Sequence, residues 1–340
     1  MFKLKRVRPL HLALAGLVLA AAAFLIMWQV ASNSFLLLPD RAHPVAPLVS
    51  VQGGHEPKGA GAIYFVDVLE QRASLLEAAF PSLHTGASLV PASRIVPPGT
   101  SDAQQRQADL RQMALSQKVA GAVALRAAGY NVKTTPTGVL VDAVIDGSDA
   151  VGKLQPTDTI VALDGKPVRT IAQLHDAVGK LKVGAVARVG VRRGDKLITV
   201  SIRTTATKAE PHTPILGVLP EQAADIRLPI SIKIDAGNVG GPSAGLPFAL
   251  EVLEELGRDV DHGYKVAATG QLLPDGTVIP IGGVEQKTYG ARMAHVDVFL
   301  VPAGDNYRTA LQYADGLRII PVKTFQQALR ALAHLPKKSA

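Results

Sequence analysis

Residues 240–257 read GGPSAGLPFALEVLEELG, and residues 268–287 read ATGQLLPDGTVIPIGGVEQK. In the first stretch Leu246, Ala249, Leu250, Leu253 and Leu256 recur at three- and four-residue spacing, which predicts a helix ended by Gly257. Pro247 places its start. Proline is tolerated in the first turn, where amides have no intrahelical partner, and is disfavoured deeper. The helix therefore begins near Ser243 or Ala244, which puts a hydroxyl at its positive end among N–H groups able to stabilise an oxyanion. Just upstream, Ile230, Ile232 and Ile234 alternate with Ser231, Lys233 and Asp235, the period of a half-buried strand.

A nucleophilic serine needs a base, and the nearest downstream histidines, His262 and His295, have no catalytic setting in the sequence. Lys287 has one. Val284, Lys287, Ala291 and Ala294 fall along one helical stripe, so this lysine either snorkels to the surface or is desolvated. Desolvation lowers its pKa, and a place in the first turn of a helix pushes the same way. A neutral amine beside a serine is a base for hydroxyl attack on an amide.

Together the two stretches resemble the proteolytic domain of Lon proteases, an α+β fold of the ribosomal S5 domain 2-like kind that works with a Ser–Lys dyad. That resemblance implies Ser243 as nucleophile and Lys287 as general base, with Thr269 orienting the lysine amine. Amides around Gly241, Ser243 and Ala244 are the implied oxyanion-hole candidates. The match runs from Ile230 to Asn306 and extends to a helix around Met113 and Ser116. It implies residues 51–129 as the N-terminal part of the proteolytic domain and 214–335 as the remainder. Gly240 departs from the ATP-dependent members, which carry an acid there.

From Tyr130 to Thr205 the texture changes to short strands between glycine turns, at 138–145, 159–163, 185–191 and 196–202. Thr170 caps one short helix, IAQLHDAVG. The run GVLVDAVIDGSDAVGKLQPTDTIVALDGKPV, residues 138–168, resembles a PDZ domain of the bacterial protease type, with Thr157 where the family commonly has Gly. The resemblance implies a β-barrel-like module, residues 130–205, inserted into the proteolytic domain and binding C-terminal tails beside a strand. Carried over, Thr137, Gly138 and Val139 form the carboxylate loop, and Leu174 and Val178 face the groove. The whole arrangement resembles the membrane-anchored PDZ–Lon-like proteases of bacteria.

Composition bounds the rest. With 340 residues, 47% of them hydrophobic, the chain is neither disordered nor fibrous, and zero cysteines exclude disulfides, thiolate metal sites and thiol catalysis. Lys3, Lys5, Arg6 and Arg8 supply half of the net charge of +8, so no basic stripe remains to suggest nucleic acid. Between Pro9 and Pro39 there is no Asp, Glu, Lys or Arg. Residues 1–9 read as a cytoplasmic basic tail and 10–30 as a transmembrane signal-anchor, with the rest of the chain outside the cytoplasm. The competing reading is a signal peptide cleaved near Val30-Ala31-Ser32, giving a secreted protein. Residues 31–50, with Pro39, Pro44 and Pro47, read as a linker. Further on, Ser101 or Asp102 caps a helix carrying Leu110, Met113, Ala120, Val123 and Ala127, which Gly129 stops.

The sequence contains no GxxxxGK[ST]. The expected function is an ATP-independent serine endopeptidase acting on unfolded or PDZ-presented polypeptides, with no metal or cofactor and room for a homo-oligomer. Two rivals stand beside it. One is a non-catalytic PDZ scaffold with a vestigial Lon-like part. The other is an esterase using the GxSxG of Gly241–Gly245 with Asp297 or Asp305 and His334, but Pro242 is awkward in the strand-to-serine elbow that such an enzyme needs. HExxH zinc chemistry fails at His55-Glu56, which Pro57, Lys58 and Gly59 follow.

Overall fold

The computed structural model describes residues 9–55, 59–97, 100–336 and 338. The basic residues Lys3 to Arg8 lie outside the described residues. Helix α1 (Pro9–Gln29) leads the chain, and its Leu14, Leu17, Leu19, Phe24 and Ile26 are all more than half exposed. Its side chains are described only from Ala13 onward, and among the described residues no helix is long and apolar enough to cross a membrane.

The residues expected to form a linker are built into the fold instead. Strand β1 (Ala31–Pro39) follows α1 after Val30 alone and becomes the centre of a sheet ordered β5-β1-β6. Its Phe35 and Leu36 are buried. Next come β2 (His43–Pro44) and β3 (Val49–Val51). The prolines occupy places that need no N–H, namely the end of β1, the edge strand β2 and the first turn of a 3-10 helix at Ala46–Leu48. The chain then forms β4 (Ala62–Phe65) and β5 (Val68–Ser74), which are separated by Val66-Asp67 and join different sheets. Short α2 (Leu75–Ala79), β6 (Ser88–Pro91) and α3 (Ala92–Ile95) follow.

Helix α4 (Asp102–Ala127) begins with a reciprocal capping box between Ser101 and Gln104 and stops before Gly129, whose φ is 90°. Its apolar face, including Met113, Ala120, Val123 and Leu125, is buried against α6 (Gly245–Glu255). Between them in sequence lie β7 (Lys133–Val144), β8 (Thr159–Leu163), β9 (Lys166–Pro167), α5 (Ile171–Gly179), β10 (Val186–Arg193), β11 (Lys196–Arg203), β12 (Val218–Arg227) and β13 (Ile232–Ile234). After α6 come β14 (Lys265–Ala268), β15 (Gln271–Leu272), β16 (Val278–Ile279), α7 (Val284–Met293), β17 (Val298–Pro302), α8 (Asp305–Gln312), β18 (Arg318–Val322) and α9 (Phe325–Ala333).

One sheet, ordered β18-β17-β14-β4-β2, carries the larger core, and all but its β2–β4 pairing are parallel. Its hydrophobic runs, such as Val298–Pro302 buried throughout, are those of strands covered on both faces. Leu246, Phe248, Leu250 and Leu253 of α6 fill the space against Ile63, Val266 and Leu300. The inserted module has its own core, around Val139, Ile160, Val189 and Ile202. Its sheet runs β11-β10-β8-β7-β12, so the strand at Val218–Arg227, which follows the expected end of the module at 205, pairs into the module's sheet. Lys133, where β7 begins, pairs with Arg227, where β12 ends, so the chain enters and leaves the module side by side.

Candidate active site

Helix α6 starts at Gly245 with Pro247 in its first turn, so Ser243 stands just ahead of it. Three hydrogen bonds, two to α4 and one to the turn after β14, hold the loop before the helix. The amide of Gly241 donates to the carbonyl of Asp109 at 2.9 Å, the hydroxyl of Ser116 donates to the carbonyl of Pro242 at 2.9 Å, and the amide of Gly270 donates to the carbonyl of Ser243 at 2.8 Å. Gly245 sits close to both clamps, since a Cβ there would lie 3.0 Å from Ser116 Oγ and 3.1 Å from the amide of Leu272.

Lys287 is the fourth residue of α7, and Val284, Ala291 and Ala294 of its stripe are buried with it. The lysine is 4% exposed, and its Nζ lies 2.7 Å from Ser243 Oγ. Burial, the dominant cause, lowers its pKa to about 8, while the nearby Asp67 and Glu70 raise it. The lysine is therefore desolvated, the second of the two states its place on the stripe allowed. Thr269, fully buried, accepts from Lys287 Nζ at 3.3 Å and donates to the carbonyl of Ser243 at 3.3 Å. With its own proton committed there, the threonine presents a lone pair to the amine and leaves the amine's remaining valence toward Ser243.

Two expectations are corrected here. Gly241 does not serve as an oxyanion donor, because its amide is spent on Asp109, whereas among the described residues the amides of Ser243 and Ala244 donate to no protein acceptor. Nor does the edge of β7 at Thr137, Gly138 and Val139 stand open for a peptide. Gly138 and Val139 pair with Ala223 and Gln222 of β12, and Leu174 and Val178, each 6% exposed, point into the module's core. The edge strand is β12, and α5 lies beside it. Gln222 joins the two, its Nε2 donating to Arg169 at 2.9 Å and its Oε1 accepting from the amide of Ile171 at 3.3 Å.

The esterase constellation does not assemble. Asp297 takes the amide of Lys265 and the amine of Lys338, Asp305 pairs with Arg308, and the Nδ1 of His334 meets the carbonyl of Arg330. Ser116 and Asp109 of α4, and Asp67 and Glu70 beside the lysine, are site residues that sequence reasoning left unassigned. Ser116 carried the one available signal, a hydroxyl on the buried face of a helix.

Residues 194–334 match the Lon protease (S16) C-terminal proteolytic domain, and residues 116–204 match the PDZ domain. The chain is 36% identical over 105 residues to Lon protease 2 of Bacillus subtilis, a match covering 31% of this chain and 18% of that protein. It is 29% identical over 214 residues to Lon protease 1 of Sorangium cellulosum, covering 58% of this chain and 25% of that one. The PDZ domain of the SdrC-like protein from Listeria innocua aligns at 30% identity and a TM-score of 0.24, over 25% of this chain and 96% of that domain. Residues 194–334 thus resemble the proteolytic domain of the serine-type Lon peptidases, and residues 116–204 resemble a PDZ domain, a combination consistent with a PDZ–Lon-like protease. The chain spans a quarter or less of the length of these two curated relatives.

Proposed function

We propose that the chain is a serine endopeptidase in which Ser243 attacks the peptide carbonyl and Lys287 is the general base. The observation that carries this reading is the 2.7 Å approach of a buried lysine amine to a serine hydroxyl at the start of α6. Neutral Lys287 takes the Ser243 proton as Oγ bonds to the carbonyl carbon, and the amides of Ser243 and Ala244 receive the oxyanion. The lysine then gives that proton to the departing amine, and water, deprotonated by the same lysine, releases the acyl group. With no nucleotide-binding loop in the sequence, the reaction needs no ATP and suits unfolded or presented segments.

The PDZ module presents those segments. A tail adds as a strand to the outer edge of β12, between it and α5, with its carboxylate toward the loop at 214–217 that leads into β12. The ground for placing the chain at a membrane, with the catalytic part outside the cytoplasm, is the uncharged sequence from Pro9 to Pro39 behind four basic residues, and not a spanning helix among the described residues.

Labelling with a serine-directed fluorophosphonate, wild type against Ser243→Ala, tests the chemistry. Loss of both label and peptide cleavage in the variant is expected, and equal labelling of both would overturn the reading and return the scaffold alternative. External protease digestion of intact cells tests the topology. A catalytic part that stays inaccessible until lysis would sink the membrane assignment.

A further inference from the structure

Thr157 has a φ of 73°, in the left-handed region that a β-branched side chain resists. The other non-glycine residues found there among the described ones are Asp164, His262, His295 and Asp315, types that enter it more readily. The amide of Asp158 donates to the carbonyl of Gln155 at 3.1 Å, closing a turn with Pro156 second and Thr157 third. A positive φ at the third place normally calls for Gly, the residue PDZ domains commonly carry here.

The unfavourable conformation is held from within the module, and the hydroxyl is used outside it. The amide of Thr157 donates to the carbonyl of Val141 at 2.8 Å, and the next residue, fully buried Asp158, pairs with Arg193 at 2.7 Å. Among the described residues the Thr157 hydroxyl makes one hydrogen bond, in which Oγ1 accepts from Arg111 Nε at 2.8 Å. Arg111 stands on α4 between Asp109, whose carbonyl takes the amide of Gly241, and Ser116, whose hydroxyl donates to the carbonyl of Pro242. Strand β12 makes a second tie. Glu221 Oε2 accepts from Gln271 Nε2 at 3.4 Å, beside Gly270, whose amide holds the carbonyl of Ser243. Thr157, Glu221 and Gln271 line one cleft together with Ser116 and Pro242. The module thus reaches both elements that clamp the loop before α6.

A residue kept in a disfavoured conformation points to a use for its side chain. We propose that Thr157 is a positioning residue, whose hydroxyl latches the module onto α4 at Arg111 and so steadies the helix that clamps the Ser243 loop. The Glu221–Gln271 contact braces the other clamp. The module then sets turnover as well as capture, because a small displacement of a nucleophile slows its reaction steeply. The effect on turnover rests on the proposed Ser243–Lys287 chemistry; the latch itself does not.

The test uses the full chain in detergent micelles and a short unstructured peptide that needs no tail capture. Thr157→Gly relieves the backbone and removes the hydroxyl, whereas Thr157→Ser keeps the hydroxyl. Thr157→Gly is expected to lower kcat about tenfold with KM little changed, although its thermal midpoint is no lower than that of wild type. Thr157→Ser should return kcat to near the wild-type value. Arg111→Ala should show the same loss as Thr157→Gly, and the double variant should lose no more than either single one. Should Arg111→Ala fail to fold, the comparison of Gly with Ser decides alone. Hydrogen exchange of residues 238–246, read by mass spectrometry, should quicken in Thr157→Gly and not in Thr157→Ser. Wild-type kcat and wild-type exchange in Thr157→Gly would overturn the proposal. If wild type neither cleaves nor takes a fluorophosphonate, the dyad reading falls, and exchange still decides the latch.

Discussion

Lys287 is kept near neutrality by the cost of burying its charge, against the pull of Asp67 and Glu70. The pH dependence follows with a definite sign. A base works when unprotonated, so kcat/KM should rise with pH along a single limb through about 8, with no histidine step below it. Lys287→Arg should be as inactive as Lys287→Ala, since a guanidinium stays protonated, and a pH–rate profile of purified variants checks both. Asp67→Asn removes a charge that favours the ammonium form and should move the limb to lower pH. Stability runs alongside. A lysine titrating below its unfolded value leaves the unfolded chain holding more protons between about 8 and about 10.4, so the fold gains stability as pH rises through that window. At pH 7 the buried ammonium is a burden. Lys287→Met should therefore abolish cleavage yet raise stability by about 1–2 kcal/mol in denaturant titration. The meeting of Ser243 and Lys287 was legible in the sequence through the position of Pro247 and the helical stripe, whereas Thr269 rested on the family resemblance alone. The fate of the Gly241 amide was not legible, because the carbonyl that takes it belongs to α4, far away in the chain.

At the scale of elements, the helices and most strands follow from periodicity and caps. Thr170 accepts from Gln173 to start α5, and Ile230, Ile232 and Ile234 are half-buried between exposed neighbours as their alternation requires. The strand that escaped is β12. Its sequence, VLPEQAADIR, has no apolar alternation because an edge strand is only partly covered, and Pro220 sits at a register shift where the ladder tolerates it. Without β12 in view, the sequence left the edge that β7 gives to β12 open for a peptide. Gly138, read as part of a binding loop, is instead a packing position. A Cβ there would meet the carbonyl of Ile160 at 2.6 Å, and its φ is 157°. Gly138→Ala should cost about 2–4 kcal/mol of stability, measurable in urea, whatever peptide is present. Gln222→Ala, which unties β12 from α5, should weaken binding of tail peptides several-fold in fluorescence anisotropy. Cleavage of short unstructured peptides should stay unchanged.

For the whole molecule, the two parts are tied through β12, whose Ile226 is buried in the larger core, and by polar contacts, among them Arg111 to Thr157 at 2.8 Å and Arg126 to Thr134 at 3.2 Å. Excision has to respect the pairing of β12 with β7. Removing 130–205 strands β12 without a partner and should yield aggregated protein in size-exclusion chromatography. Removing 130–227 with a short Gly/Ser bridge should leave a soluble, fluorophosphonate-reactive proteolytic domain. Strand β12 is shared, since it pairs with β7 through a ladder of hydrogen bonds while its Ile226 is buried in the larger core and its Asp225 pairs with Lys118 of α4. The pairing of Lys133 with Arg227 also bears on descent. Two ends that meet on one rung form a docking port of fixed gauge, and any domain whose own ends lie equally close fits it without stretching the host. Exchange of such cassettes would alter which polypeptides are captured while the chemistry of cleavage passes unchanged from one lineage to the next.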